Sequence, residues 1–210
     1  MADITIGDVE RAVKTTAATV LRNEIYFCDL DGLAGDGDFG TSLATGFRVI
    51  DAELPTIDKS AIGAMLLKIS MLVSKHVGGS SGPIWGTGFM KAAMLTRGKE
   101  SVSLQEVADM LGSAIEGIQA RGGAKLGDKT LLDALVPATD ALEEALRSGG
   151  DGAQAFATTA RERADATKTM QARRGRASYT GERSIGSVDA GATAVAVMAE
   201  QIAAGWADRR

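Results

Sequence analysis

Cysteine occurs once, at Cys28, and histidine once, at His76. One cysteine excludes an internal disulfide and a cysteine-based zinc cage, and one histidine excludes a metal site built on paired imidazoles. Aromatic residues make up 4% of the chain, and alternating β-branched runs are missing, so no segment reads as a strand. No apolar run approaches the roughly 18 residues of a membrane span; Lys68 interrupts the best candidate. A basic excess is lacking too. The 23 Lys and Arg against 27 Asp and Glu leave a net charge of −4, which argues against a nucleic-acid partner. The opening MADITIGDVE has neither a basic n-region nor an apolar h-region, so it does not read as a signal peptide and the expected location is cytoplasmic. What remains is ample for a core. Hydrophobic residues are 45% of 210, enough for one domain spanning 1–210. Its chemistry must rest on carboxylates, glycines, hydroxyls and a few cations.

Apolar residues at three- and four-residue spacing dominate the chain, and they predict eight helices. The segment 6–27 aligns Ile6, Val9, Val13, Ala17 and Val20, and 60–76 aligns Ile62, Met65, Leu66, Ile69, Leu72 and Val73. In 103–121, Ser103 and Glu106 form a capping-box pair ahead of Leu104, Val107, Leu111, Ile115 and Ile118. The segment 130–147 carries Leu131, Leu135, Leu142 and Leu146; 190–207 carries Val195, Met198, Ile202 and Trp206. Weaker patterns occupy 39–53, 83–97 and 152–173. The expected class is all-α, an up-and-down antiparallel bundle.

The connections are of two kinds. LPTID, RGKES and SGG are short and plain, whereas CDLDGLAGDGD, HVGGSSG, GGAKLGD and RGRASYTGERSIGSVD are long or rich in glycine and polar groups. In an up-and-down bundle these four special connections fall at one end, opposite the plain turns. The 26 glycines concentrate in and beside them. Glycine does not stabilise a helical protein, so its enrichment there points to backbone that approaches a ligand closely.

At that end, GDGDFG (Gly35 to Gly40) matches the letters of a dinucleotide fingerprint, but no strand precedes it and two carboxylates would sit inside the phosphate cradle. Asp31, Asp36 and Asp38 form an acidic cluster instead. Such a cluster suits a hard cation, and magnesium bridging a substrate phosphate fits better than an EF-hand calcium loop. The alternative is an acidic N-cap group with Asp38 capping the next helix. In HVGGSSGP, Ser80 and Ser81 with a helix N-terminus form an anion site or, alternatively, a glycine C-cap followed by a serine N-cap. His76 reads as a helix-end residue rather than a base. GGAKLGDKT imitates a P-loop but has Asp128 before Lys129 and Thr130 and no strand, so a Walker motif is rejected, with Thr130 left as a helix cap. Arg173, Arg174, Arg176 and Arg183 bring four guanidiniums to the same end, suited to a phosphate chain or else a solvated basic loop. Metal, arginine and helix N-termini together are equipment for phosphoryl transfer.

LDGLAGDGDFG, GGSSGP, GDKTLLDAL and QARRGRASYTGERSIG, in this order over nearly the whole chain, resemble the nucleotide-binding (L) subunit or domain of dihydroxyacetone kinases. That resemblance implies an eight-helix antiparallel barrel with the nucleotide at one end. It implies that Asp31, Asp36 and Asp38 ligate two Mg2+ ions bridging the phosphates of ADP or ATP. It also places Phe39, Gly40, Thr41, Ser42, Ser80, Ser81, Gly122, Leu131, Arg176, Asp189, Ala190 and Gly191 at nucleotide-contact positions. The family works with a separate ketose-binding subunit that holds its substrate through a histidine, so this chain would supply the phosphoryl group and no general base. The donor is either ATP or a phosphotransferase-system protein that recharges resident ADP. Two departures stand out. Phe39 replaces the histidine of GDADHG, and Ser187-Val188-Asp189-Ala190 stands where HxDPGA is common. Both lie around the nucleotide, which keeps open an ATP-dependent kinase for a tetrulose. A magnesium-dependent phosphoester hydrolase and a non-catalytic ADP-binding adaptor or regulator are the rivals from other classes.

Overall fold

In the computed structural model, which describes residues 3–207, the first helix starts because two short side chains cap it. The Thr5 hydroxyl accepts the Asp8 N–H (3.3 Å), and the Asp8 carboxylate accepts the Thr5 N–H (2.8 Å), satisfying donors that the first turn leaves open. Helix α1 (Ile6–Arg22) follows, then α2 (Glu24–Gly32), α3 (Phe39–Glu53), α4 (Ile62–His76), α5 (Ser81–Leu95), α6 (Leu104–Gly122), α7 (Leu132–Ser148), α8 (Gly152–Ala166) and α9 (Ala190–Ala207). The all-α class is as expected. No helix among the described residues is long and apolar enough to cross a membrane.

Three details correct the sequence expectation. The segment 6–27 is not one helix: it breaks at Asn23, and α2 continues to Gly32, into what read as loop, so the described residues hold nine α-helices rather than eight. The helix expected over 152–173 ends at Ala166, where the Thr167 hydroxyl bonds the Ala164 carbonyl (2.6 Å) and the chain tightens into a 3-10 turn. A strand pair also exists, β1 (Ile4–Thr5) antiparallel to β2 (Ser101–Val102), with Ile4 opposite Val102. Two residues per strand are too few to show a period.

The chain divides into two compact units, crossing between them in the last turn of α1, the first turn of α3 and the loop after α6. The first unit comprises residues 3–21 and 42–123. Here α4 packs on α5 and α5 on α6. The predicted α4 stripe of Ile62, Met65, Leu66, Ile69, Leu72 and Val73 is buried throughout. The capping box forms as expected, with the Ser103 hydroxyl accepting the Glu106 N–H and Glu106 accepting the Ser103 N–H (2.7 Å). On α6, however, the deeply buried residues are Ala108, Ala114, Gly117 and Ile118. Small residues take that face because α5 approaches closely.

The second unit comprises residues 22–41 and 124–207. Helix α7 packs on α8, α8 on α9, and α2 also meets α9. Ala157, Ala160 and Ala164 of α8 and Ala192, Ala196, Ala199 and Ala203 of α9 are buried at three- and four-residue spacing. Gly149, left-handed at φ 74°, closes α7, and the Asp151 carboxylate caps α8 on the Gln154 N–H (3.1 Å). A three-residue turn between them folds α8 back along α7.

Candidate metal and nucleotide site

The acidic loop is held by its own first carboxylate. Between the end of α2 at Gly32 and the start of α3 at Phe39, the chain has six residues in which to reverse. The main-chain carbonyl of Asp31 accepts the N–H groups of Ala34 (3.1 Å) and Gly35 (2.5 Å), and its Oδ2 accepts those of Gly37 (2.9 Å) and Phe39 (3.4 Å). Gly37 sits at φ 77°, a conformation that side-chain-bearing residues rarely adopt. Gly40 is required for a different reason: a Cβ there would lie 2.0 Å from the Glu24 carbonyl oxygen. The first turn of α3 is thus pressed onto α2, which fixes where the loop emerges.

Asp31, Asp36 and Asp38 each present a carboxylate oxygen within 4.8 Å of the others. Asp31 is half-buried and the other two are exposed. Burial raises the Asp31 pKa above the usual carboxylate value; the charges of Asp36 and Asp38 add to this, while the Phe39 and Gly37 N–H bonds oppose it. Helix α2 has no basic residue in its last turn, so the negative end of its dipole adds to the same field. Three hard oxygen donors converging in a negative field have the chemistry that magnesium and calcium take. A guanidinium answers part of that charge, since Arg176 forms an ion pair with Asp36.

Phe39 lies against the buried ring of Phe27 of α2, with centroids 6.2 Å apart, so its ring has a packing partner within the protein. The Thr41 hydroxyl is 3.4 Å from the Cys28 sulfur. At the α7 and α9 starts, Leu131, Asp189 and Gly191 come together. The Asp189 Oδ2 caps α9 on the Ala192 N–H (2.7 Å), and a Cβ on Gly191 would be 3.3 Å from the Leu131 Cβ. Ala190 is the first residue of α9. Burial pushes the Asp189 carboxyl up to about 7, with the charge of Asp133 adding and the Ala192 N–H and Lys129 opposing. Helix α7 starts one residue later than a Thr130 cap implies: Leu131 holds the N-cap position and the Thr130 hydroxyl accepts the Leu132 N–H (3.2 Å).

The four other candidates belong to the first unit. A Cβ on Gly78 would lie 2.8 Å from the Ser42 Oγ, and one on Gly122 would lie 2.8 Å from the Ile84 Cδ1, near the start of α5. Ser80 occupies the N-cap position of α5 but makes no side-chain cap bond, and Ser81 opens the helix. The serine-cap alternative therefore does not hold at Ser80. His76 ends α4, half-buried.

The sequence presented Asp128 and Lys129 only as part of a rejected P-loop and gave Asp133 no role, yet all three are buried. Asp133 accepts the Gly127 (2.5 Å) and Thr130 (2.7 Å) N–H groups, and Asp128 accepts the Lys125 N–H and the Arg174 Nε (both 3.1 Å). The Lys129 ammonium donates to the carbonyls of Met170 (3.2 Å), Ser184 and Ser187 (2.7 Å). The available signal was three charges within six residues, two just ahead of α7 and one in its first turn. Of the four arginines in the 173–183 stretch, Arg174 and Arg176 meet carboxylates, and Arg173 and Arg183 are exposed.

The family described as the DAK2 domain matches residues 33–204. The chain is 39% identical over 181 residues to the PEP-dependent dihydroxyacetone kinase, ADP-binding subunit DhaL, of Escherichia coli, covering 85% of this chain and 86% of that one. It is 36% identical over 180 residues to the L-erythrulose 1-kinase of Mycolicibacterium smegmatis, covering 84% of this chain and 31% of that one. The dihydroxyacetone kinase of C. freundii in complex with AMP-PNP and Mg2+ is similar with a TM-score of 0.75 and 25% identity. That match covers 94% of this chain and 33% of the C. freundii chain, so this chain spans about a third of the solved structure's length.

Proposed function

The chain belongs to the DAK2 domain family, and from that footing we propose that it is the nucleotide-binding subunit of a kinase for dihydroxyacetone or a similar short ketose. The observation that carries this proposal is the convergence of Asp31, Asp36 and Asp38 within 4.8 Å, with Arg176 paired to one of them. The whole of 1–210 works as one nucleotide-binding domain in the cytoplasm, with no membrane or nucleic-acid partner. Phe39, Gly40, Thr41, Ser42, Ser80, Ser81, Gly122, Leu131, Asp189, Ala190 and Gly191 contact the nucleotide.

Asp31, Asp36 and Asp38 hold two magnesium ions, which neutralise the phosphate chain when bound. The exposed Arg176 guanidinium, beside Asp36, would also bind phosphate oxygens, which its planar donors fit bidentately. Gly37 turns the loop and Gly40 lets α3 press onto α2, which together hold the three carboxylates in place. The contribution to transfer is positioning and charge neutralisation, and the ketose sits on a separate subunit that supplies any proton acceptor. The E. coli relative's name, an ADP-binding subunit that is PEP-dependent, supports resident ADP recharged by a phosphotransferase-system protein. The M. smegmatis relative's name supports the second reading, an ATP-dependent kinase for a tetrulose.

Nucleotide analysis of the purified chain followed by calorimetric titration of ADP and ATP, with and without magnesium, tests both. Tightly retained ADP supports the first reading, and an empty chain exchanging ATP and ADP in a magnesium-dependent way supports the second. Absence of binding in magnesium refutes both.

A further inference from the structure

The segment after α8 makes an excursion whose two ends lie side by side. Gly186 donates its N–H to the Lys168 carbonyl (2.8 Å), and Ala172 donates its own to the Ser184 hydroxyl (2.9 Å), which in turn bonds the Gly181 carbonyl (2.6 Å). Residues 171–183 therefore form a closed surface loop of the Ω kind, built largely of one 3-10 stretch broken at Gly181. Loops of this composition, with exposed arginines and little apolar burial, hold their shape only when something at the base fastens them. Here the fastener is Lys129. Its ammonium reaches Met170 on the entering strand of the loop and Ser184 and Ser187 on the returning one, so one buried cation ties both ends through three main-chain carbonyls. The neighbouring Asp128 holds the loop's leading edge, accepting the Arg173 N–H at its carbonyl (3.0 Å) and the Arg174 guanidinium at its carboxylate.

The backbone at Lys129 supports a specific role. It is left-handed, at φ 61°, the one non-glycine residue with a positive φ among the described residues. That conformation is uncommon for a lysine and persists only where the surroundings hold it. A lysine kept in this conformation, buried to 3% exposure, is costly unless its ammonium is fully bonded. Three carbonyl acceptors meet the three donors of an ammonium one for one.

We propose that Lys129 is a positioning residue: by strapping the base of the 171–183 loop it holds Arg176 at the Asp31–Asp36–Asp38 cluster, where Arg176 meets the nucleotide's phosphates. The strap does not touch the ligand. It acts through Arg176, and it deepens the nucleotide-site reading on which it rests. An ammonium suits this task better than an apolar residue because its three bonds fix the separation of the loop's ends, while a hydrophobic plug would take that donor from all three carbonyls and leave the Ser184 carbonyl with the Ser187 hydroxyl (3.1 Å) in its place.

The test is a double-mutant cycle on Mg·ADP affinity with Lys129→Met, Arg176→Ala and the pair, alongside limited trypsin digestion of the nucleotide-free chain. Lys129→Met is expected to weaken Mg·ADP about tenfold in the wild-type background and less than about twofold once Arg176 is gone. Trypsin is expected to cut between Arg173 and Arg183 sooner in the variant. Equal losses in both backgrounds, or wild-type affinity in Lys129→Met, overturns the proposal. If Lys129→Met does not fold, Ser184→Ala loosens the same base without touching the buried charge. It must then show the same dependence on Arg176, and independence from it overturns the proposal. Should the wild-type chain bind no Mg·ADP, the functional reading fails, and the trypsin comparison alone decides whether Lys129 straps the loop.

Discussion

Replacing Asp38 by asparagine separates a metal site from an acidic helix cap, because it removes a charge and leaves a cap. Asparagine caps a helix about as well as aspartate, so the effect that remains is electrostatic. Asp38 has two carboxylate neighbours with oxygens within 4.8 Å. In water-like screening, each such pair repels by about 0.9 kcal/mol at that separation. Losing the negative charge ahead of α3 forfeits about 0.5 kcal/mol of favourable helix-dipole interaction. The nucleotide-free variant should therefore gain about 1 kcal/mol, a rise in melting midpoint of about 2–4 °C for a chain of this size. Saturating Mg·ADP should reverse the ranking. At about a hundredfold excess over Kd, wild type gains about 2.7 kcal/mol from ligand, which the variant forgoes. Melting both proteins by calorimetry with and without Mg·ADP reads all four midpoints. If Asp38→Asn melts lower than wild type without ligand, yet is stabilised equally by Mg·ADP, the cluster is a cap and not a metal site.

Arg176→Ala should weaken Mg·ADP about tenfold by titration calorimetry while leaving the helical circular dichroism unchanged; unchanged affinity would mean that the Asp36 ion pair is its whole role. Gly40→Ala drives a methyl into the Glu24 carbonyl and should cost about 3 kcal/mol in urea unfolding, and a loss under about 0.5 kcal/mol would show that α3 can shift off α2. Asp189 carries a folded pKa of about 7 against an ordinary 3.8. Between those values the folded chain holds a proton that the unfolded chain has lost, so Asp189 makes stability fall as pH rises through that window. Asp189→Asn keeps the acceptor for the Ala192 N–H and should flatten this slope, measured as urea midpoints on either side of the window. An unaltered slope would assign it to other groups.

The stripe on α4 was legible because its large apolar side chains alternate with polar ones at helical spacing, and every one of its predicted positions is buried. The capping box at Ser103 and Glu106 was legible for a similar reason, since both partners lie within one turn. On α6 and α9 the same logic pointed to the larger residues, and on α8 it found only a weak pattern, while the deepest positions belong mostly to alanine. Alanine has no periodicity signal of its own, and its burial depends on which neighbour comes close enough to need it. Asp31, Asp36 and Asp38 stood out because eight residues of glycine-rich chain hold all three. Arg176 was singled out as one arginine of four, and its pairing with Asp36 spans 140 residues of sequence.

By itself the sequence determined the helical class, the acidic glycine-rich loop and the concentration of hydroxyls and arginines in a few connections, because these are properties of composition and short-range spacing. Tertiary structure alone decided that α2 exists as a separate helix pressed by Gly40, that Arg176 answers Asp36, and that Lys129 is buried with its ammonium on three main-chain carbonyls. The first and the last of these depend on where a distant backbone atom lies: the Glu24 carbonyl for Gly40, and the Met170, Ser184 and Ser187 carbonyls for Lys129. Main-chain carbonyls are the same in every residue, so a partnership made with them leaves no letter in the sequence to read.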